Sequence, residues 1–84
     1  MSELESVIDS LERSGHRITA SRVAVIAAIL AQRGHFTAEE LVHQVRAVGR
    51  ATVFRTLRLL LDEGVICRIL LDDTSLRYRV TNRQ

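Results

Sequence analysis

Apolar residues recur at helical spacing near the start of the chain. The first set is Leu4, Val7, Ile8 and Leu11, which occupy positions i, i+3, i+4 and i+7. Ser2 precedes this set and Glu5 follows three residues later, which is the spacing of a capping box. In a capping box, each of the two side chains bonds the backbone N–H of the other residue. The pattern predicts an amphipathic helix over residues 3–14 that ends at Gly15.

Two further helices are predicted from their cap residues. Thr19 is suited to cap a second helix that runs to about Arg33 and stops at Gly34. Thr37 and Glu40 form another capping box, which opens a third, short helix. The positions predicted to be buried are Val23, Ile26, Ile29 and Leu30 in the second helix, and Leu41, Val42 and Val45 in the third.

A fourth helix is predicted from about Arg50 to Glu63, with Gly64 as its terminator. Its buried arc consists of Val53, Leu57, Leu60 and Leu61. The opposite face presents Ala51, Thr52, Arg55, Arg58 and Leu59, with Phe54 at the edge. This face begins with small side chains and continues with basic ones, so it can enter a DNA groove. The same pattern is compatible with a solvated helix surface.

The last part of the chain changes to a two-residue period, which is typical of strands. One strand is predicted from Val65 to Leu71 and a second from Leu76 to Val80, joined by a turn over residues 72–75. Val65, Cys67, Ile69 and Leu71 are assigned to the inward face of the first strand, with Cys67 as a core residue. The fold predicted is mainly α with a small β-hairpin: a winged helix-turn-helix of three to four helices and a two-stranded antiparallel wing.

Length and composition restrict the possible functions. An 84-residue chain with a net charge of +2 is one small domain, residues 1–84. Its longest apolar run, nine residues from Val23, is far shorter than the roughly 20 that span a membrane. The acidic N-terminus is unlike a signal peptide, so a cytoplasmic location and no membrane partner are expected. With Cys67 as the single cysteine, a disulfide or thiolate zinc cluster within the chain is excluded.

Charge is distributed unevenly. Residues 1–12 sum to −4, residues 13–58 to +6, and residues 59–84 to zero; every basic side chain is an arginine. Arginine's planar fork suits bidentate contact with phosphate and guanine. The sequence contains no glycine-rich phosphate loop and no nucleophile, histidine and acid set at a familiar spacing, so neither an enzyme nor a small-molecule substrate is expected.

Three stretches carry a resemblance to a known family. GHRITASRVAVI (15–26), HFTAEEL (35–41) and RATVFRTLRLLLDEGVI (50–66), followed by RYRVT, resemble the DNA-binding domain of the Fur (ferric uptake regulator) family over about residues 4–83. The resemblance implies a transcription repressor whose partner is double-stranded DNA with AT-rich inverted repeats. It also implies a C-terminal dimerisation and metal-binding domain that is absent from these residues, so a homodimer and iron or zinc are expected only in the full-length protein, with no cofactor within this chain.

The resemblance also assigns roles to residues. It places Phe54 where the family usually has a base-contacting tyrosine, Arg55 beside it, and Arg17 where a basic residue reaches the minor groove. Thr19 and Arg22 match a segment that grips phosphates at a helix start. The DNA-contacting set expected is Arg17, Thr19, Arg22, Arg50, Ala51, Thr52, Phe54, Arg55, Arg58 and Arg77.

The chain departs from the family at several positions. The link between the third and fourth helices is shorter, and Phe54 lacks the hydroxyl of tyrosine. His35 matches a metal-binding histidine, but Arg79 stands where the family usually has a glutamate ligand, so His35 is expected to bind metal only with the missing domain, if at all. Two alternatives stay open: a winged helix that binds proteins, supported by an outward Leu59, and a truncated, metal-independent DNA-binding regulator.

Overall fold

The computed structural model describes residues 1–72 and 75–81. Its elements are α1 (Glu3–Arg13), α2 (Ala20–Leu30), α3 (Ala38–Gln44), α4 (Arg50–Asp62), β1 (Ile66–Leu70) and β2 (Leu76–Val80). Four helices therefore precede a two-stranded antiparallel hairpin, as predicted for a winged helix-turn-helix domain. The helices pack on one another, and the hairpin follows the end of α4.

Polar caps start the first three helices where the sequence predicts. Ser2 and Thr37 each form a complete capping box, and the hydroxyl of Thr19 accepts a hydrogen bond from the N–H of Arg22 at 3.2 Å. Helix α2 ends at Leu30, however, rather than near Arg33. After Leu30 the N–H of Gln32 bonds the carbonyl of Ile29 at 3.1 Å, an i→i−3 bond that ends the α-helical pattern, and the chain then continues to Phe36, which is 1% exposed and bonded to the hairpin.

The core is shared by all four helices and the hairpin. Its members are Leu11, Val25, Ile26, Ile29, Phe36, Leu41, Val53, Leu57, Leu59, Leu60, Ile66, Tyr78 and Val80. In α2, Val25 is buried while Val23 and Leu30 are half-buried, which corrects the predicted set. In α3, Leu41 is buried as predicted, while Val42 and Val45 are half-buried. Helix α2 is apolar on most of its surface and contacts α1, α3 and α4, so its periodicity alone does not define one inward arc.

Other elements bury more of the surface of helix α4 than the single arc that was predicted. Leu59, which the helical period places outward, is only 8% exposed and belongs to the core, while Leu61 is half-buried. Thr56 is also fully buried, and its hydroxyl donates to the carbonyl of Thr52 at 2.7 Å. The prediction for Leu59 is wrong because α4 packs simultaneously against α2, α3 and β1. The protein-binding alternative thereby loses its main support.

The first strand of the hairpin has the opposite facing from the predicted one. Ile66 pairs with Val80, and both are buried, so they face the core. Cys67 is half-buried on the other face, opposite Arg79 in the register. A shift of one residue in a strand exchanges its two faces, and this is the error in the core assignment of Cys67. Two residues of the predicted turn, Asp73 and Thr74, lie outside the described part.

A short bridge joins the hairpin to the segment before α3. Phe36 donates its N–H to the carbonyl of Tyr78 at 2.9 Å and accepts the N–H of Tyr78 at 2.8 Å. Their rings are 5.9 Å apart, a separation typical of favourable aromatic pairs. The wing is therefore fixed to the helical body through β2.

Candidate nucleic-acid interface

A surface cleft of about 240 Å³ lies between the start of α2 and the first turns of α4. It is lined by Arg17, Thr19, Arg22, Thr52 and Arg55. All five belong to the DNA-contacting set predicted from the sequence, although they come from positions up to 38 apart in the chain. Tertiary packing of α2 against α4 brings them to one place.

Hydrogen bonds hold one wall of this cleft. The guanidinium of Arg22 donates through Nη1 to the backbone carbonyl of Arg17 at 2.6 Å, while the backbone N–H of Arg22 is bonded to Thr19. The first turn of α2 contains no acidic residue. The partial positive charge of the helix N-terminus therefore adds to the charge of the two arginines without local neutralisation.

Helix α4 forms the other wall. Gly49 caps it without a side-chain hydrogen bond, and its first turn is also free of acidic residues. Arg55 lies one turn further along and donates through Nη2 to the hydroxyl of Thr52 at 3.3 Å. Ala51 is exposed and small, so the start of α4 can approach a surface closely.

The arginines of the predicted set divide into two groups. Arg17, Arg22 and Arg55 have no ion-pair partner among the described residues, whereas Arg50, Arg58 and Arg77 pair with Glu39, Asp62 and Glu40 respectively. The Arg58 to Asp62 distance is 3.2 Å, and that of Arg77 to Glu40 is 3.6 Å. Within the predicted set, the arginines without a carboxylate partner are therefore the ones that line the cleft.

Phe54 lies beside the cleft on α4 and is 41% exposed. The guanidinium of Arg50 stacks over its ring at 5.2 Å, within the range of a cation–π contact. Arg50 also donates to Glu39 on α3, at 3.0 Å for the longer of its two bonds. That hydrogen bond lowers the pKa of Glu39 and raises the pKa of Arg50. Glu39 was not singled out from the sequence, since its role depends on how α3 meets α4.

The wing arginine Arg77 is not part of the cleft. It points toward the start of α3, where Glu40 and His35 lie. The pKa of Glu40 is lowered, mainly by the backbone N–H and then the hydroxyl of Thr37, with a smaller effect of Arg77. Arg77 thus has neighbours that sequence spacing did not reveal.

The residues around His35 do not fit a metal ion. Its Nδ1 lies 3.5 Å from Nη1 of Arg77, and Arg79 is exposed on the same strand. No group of three or more histidine, cysteine, aspartate or glutamate side chains is placed to hold a metal in the described ranges 1–72 and 75–81. The other histidines lie elsewhere: His16 is 3.3 Å from Glu63, and His43 is exposed on α3.

Comparisons with known proteins agree with this architecture. The sequence pattern of the ferric uptake regulator family matches residues 13–84. The peroxide-responsive repressor PerR of Staphylococcus epidermidis is 31% identical over 80 residues, covering 90% of this chain and 53% of that repressor. The chain thus spans about half the length of the curated relatives it matches.

Solved structures give the same result. PerR from Streptococcus pyogenes, described for peroxide sensing and gene regulation, superposes with a TM-score of 0.85 and 25% identity over 95% of this chain and 58% of that one. The Helicobacter pylori regulator Fur, described as having three functional metal binding sites, has the same fold, with a TM-score of 0.79, 22% identity, and coverage of 99% of this chain and 61% of that one.

Within the described residues, none of the helices has the length and apolarity to cross a membrane.

Proposed function

This chain belongs to the ferric uptake regulator family, and from that premise we propose that it is the DNA-binding domain of a transcription repressor. The observation that carries the proposal is the cleft between α2 and α4, where three arginines without carboxylate partners among the described residues meet. Phosphate groups are the ligands that such a cluster of guanidinium groups at a helix N-terminus favours. The location proposed for this domain is the cytoplasm, where a repressor of this kind would meet its DNA.

Different residues of this surface contact different parts of the DNA. Arg22 and Thr19 grip the DNA backbone at the start of α2, and α4 enters the major groove with Ala51 and Thr52 leading. Arg55 donates to guanine or to phosphate, and the exposed edge of Phe54 contacts thymine methyl groups. Arg17 extends into the adjoining minor groove, whose negative potential is strongest in narrow AT-rich tracts.

The arginines that already have partners contribute less to binding. Arg50, Arg58 and Arg77 each spend part of their hydrogen-bonding capacity on a carboxylate. A phosphate therefore finds fewer free donors on these guanidinium groups, and the neighbouring carboxylate partly offsets their attraction for it. These three residues therefore support the edge of the interface, while the cleft forms its centre.

The operator proposed is an AT-rich inverted repeat. In a longer protein with a dimerisation domain, two copies of this domain would occupy the two half-sites and block polymerase. The isolated chain is expected to be monomeric and to bind weakly, since it lacks the avidity of a linked pair. Iron or zinc, if the full-length repressor uses them, would act through residues outside this chain.

A salt titration tests the proposal. Fluorescence anisotropy is measured on an AT-rich inverted-repeat duplex and on a scrambled duplex, with and without a chelator. We expect binding that weakens steeply with salt, prefers the repeat and does not change with chelator. Absence of binding to both duplexes at low salt would overturn the proposal.

A further inference from the structure

The corner where the wing meets α3 is built around Arg77, His35 and Glu40. Nη1 of Arg77 lies 3.6 Å from Oε1 of Glu40 and 3.5 Å from Nδ1 of His35. The side chain of Arg77 is only 28% exposed, and its Nε is buried without a hydrogen-bond partner among the described residues. The guanidinium is therefore turned into the protein at this corner.

The contact with Arg77 bears on how His35 could bind a metal ion. Arginine has only donors, so Nδ1 of His35, 3.5 Å from Nη1 of Arg77, can accept a hydrogen bond from it only through a lone pair. A neutral imidazole has a single lone pair, and its other nitrogen, Nε2, then carries the proton. His35 can accept a metal ion at Nε2 only if Nδ1 becomes protonated, which would set two N–H groups against each other. A divalent cation would also meet the charge of Arg77.

The opposite partner, Glu40, is held by the helix it starts. Its Oε1 accepts the N–H of Thr37 at 2.8 Å, so the carboxylate that pairs with Arg77 is part of the capping box of α3. The neighbouring Glu39 bonds Arg50 at the start of α4. Two adjacent glutamates thus connect α3 to the wing on one side and to α4 on the other.

We propose that Arg77 is a positioning residue, which fixes the wing to α3 through Glu40 and His35 and makes this corner independent of a metal ion. This inference rests on the proposed function, in which α4 enters the major groove and Arg77 lies at the edge of the interface. In this chain the arginine–glutamate ion pair adds a side-chain contact between the wing and α3 to the backbone bridge of Phe36 and Tyr78. Arg77 accordingly acts on DNA through the wing's position more than through a phosphate contact.

Hydrogen exchange tests the link without DNA. Arg77→Met and Glu40→Gln are compared with Arg79→Met, a matched change at an exposed arginine on the same strand. Glutamine still completes a capping box, so Glu40→Gln removes the charge and keeps the cap. We expect the amides of Phe36 and Tyr78 to exchange about two- to fivefold faster in the first two variants, as for removal of a partly exposed ion pair, with no further increase in the double variant. Unchanged exchange would overturn the proposal.

DNA-binding measurements distinguish a positioning role of Arg77 from a direct phosphate contact, because the two roles predict opposite changes in affinity for Glu40→Gln. If Arg77 positions the wing, Glu40→Gln lowers affinity for the repeat and Arg77→Lys restores most of the affinity that Arg77→Met removes. If Arg77 binds a phosphate, Glu40→Gln frees it and raises affinity, which would contradict the proposal. A failure of every variant and of the parent chain to bind DNA would refute the proposed function while leaving the exchange result interpretable.

Metal independence has its own measurement. Thermal unfolding is followed with added zinc or manganese and with chelator, for the parent chain and for His35→Ala. We expect equal midpoints in the parent, or a metal effect that persists in His35→Ala and so arises at another histidine. A metal-induced rise in the midpoint that disappears in His35→Ala would show that His35 is a ligand and the inference wrong.

Discussion

The arginines of the cleft and those around it have the same side chain but different surroundings. Arg17, Arg22 and Arg55 have no carboxylate partner among the described residues, whereas Arg50, Arg58 and Arg77 are each paired. Because a carboxylate partner occupies some donors of a guanidinium and offsets its charge, a paired arginine should contribute less to the proposed DNA binding than an unpaired one. The modest net charge of +2 is therefore a poor guide to this surface.

The largest effect is expected when either group is removed as a whole. Replacing Arg17, Arg22 and Arg55 together by alanine should make the negative slope of log affinity against log salt shallower, by about 0.9 for each phosphate that is no longer neutralised. The matched triple change of Arg50, Arg58 and Arg77 should reduce the slope by less. Anisotropy titrations at several salt concentrations measure both. Equal slopes in the two triple variants would remove the distinction between the groups.

The next largest effect concerns Arg55 alone. Arg55→Ala should weaken binding to the inverted repeat by about 1–3 kcal/mol and relax the base preference at one position. Arg33→Ala is the control, since Arg33 is exposed beyond the opposite end of α2 and carries the same charge. Competition with single-base variants of the duplex measures the preference. Equal reductions on the repeat and on scrambled DNA would show that Arg55 contacts only the backbone.

Helix caps allow a comparison between the cleft and a site far from it. Thr19→Ala and Ser2→Ala each remove a side chain that caps a helix, and each should lower the free energy of unfolding by about 1 kcal/mol. Only Thr19 lines the cleft, so only Thr19→Ala should also reduce DNA affinity at a temperature where both variants are folded. Denaturant melts and anisotropy measure the two quantities. A matching decrease of affinity in Ser2→Ala would mean that stability alone explains the effect.

The smallest effect is expected from converting a paired arginine into an unpaired one. Asp62→Asn frees Arg58 on α4, and we expect a rise in affinity of up to about fivefold, since an exposed pair of this kind contributes at most about 1 kcal/mol. Asp9→Asn is the control, because Asp9 forms the same i,i+4 pair with Arg13 on α1. Affinity that rises equally in the control would reflect overall charge, and no rise in either would place Arg58 outside the interface.

Much of the fold could be predicted because its signals are local. The capping boxes at Ser2 and Thr37 and the cap at Thr19 set three helix starts through contacts three residues apart. The change of period after Gly64 likewise marked the hairpin. One error arose where several neighbours cover one element, since Leu59 is buried by packing of α4 that helical periodicity does not predict. The other arose in the first strand, where a shift of one residue moved Cys67 off the core face.

The same division holds for the candidate site. The choice of arginines, caps and small residues, and the resemblance to the family, predicted a set of side chains, five of which line the cleft. Packing decided which of the arginines have a carboxylate partner. Arg50 meets Glu39 eleven residues away, and Arg77 meets Glu40 across the bridge between Phe36 and Tyr78. Backbone capping is encoded within a few residues, whereas an ion pair between elements exists only after the elements dock. Composition and spacing therefore specify the helices, the hairpin and the cationic side chains, and the docked helices decide which of those cations meet a carboxylate of another element.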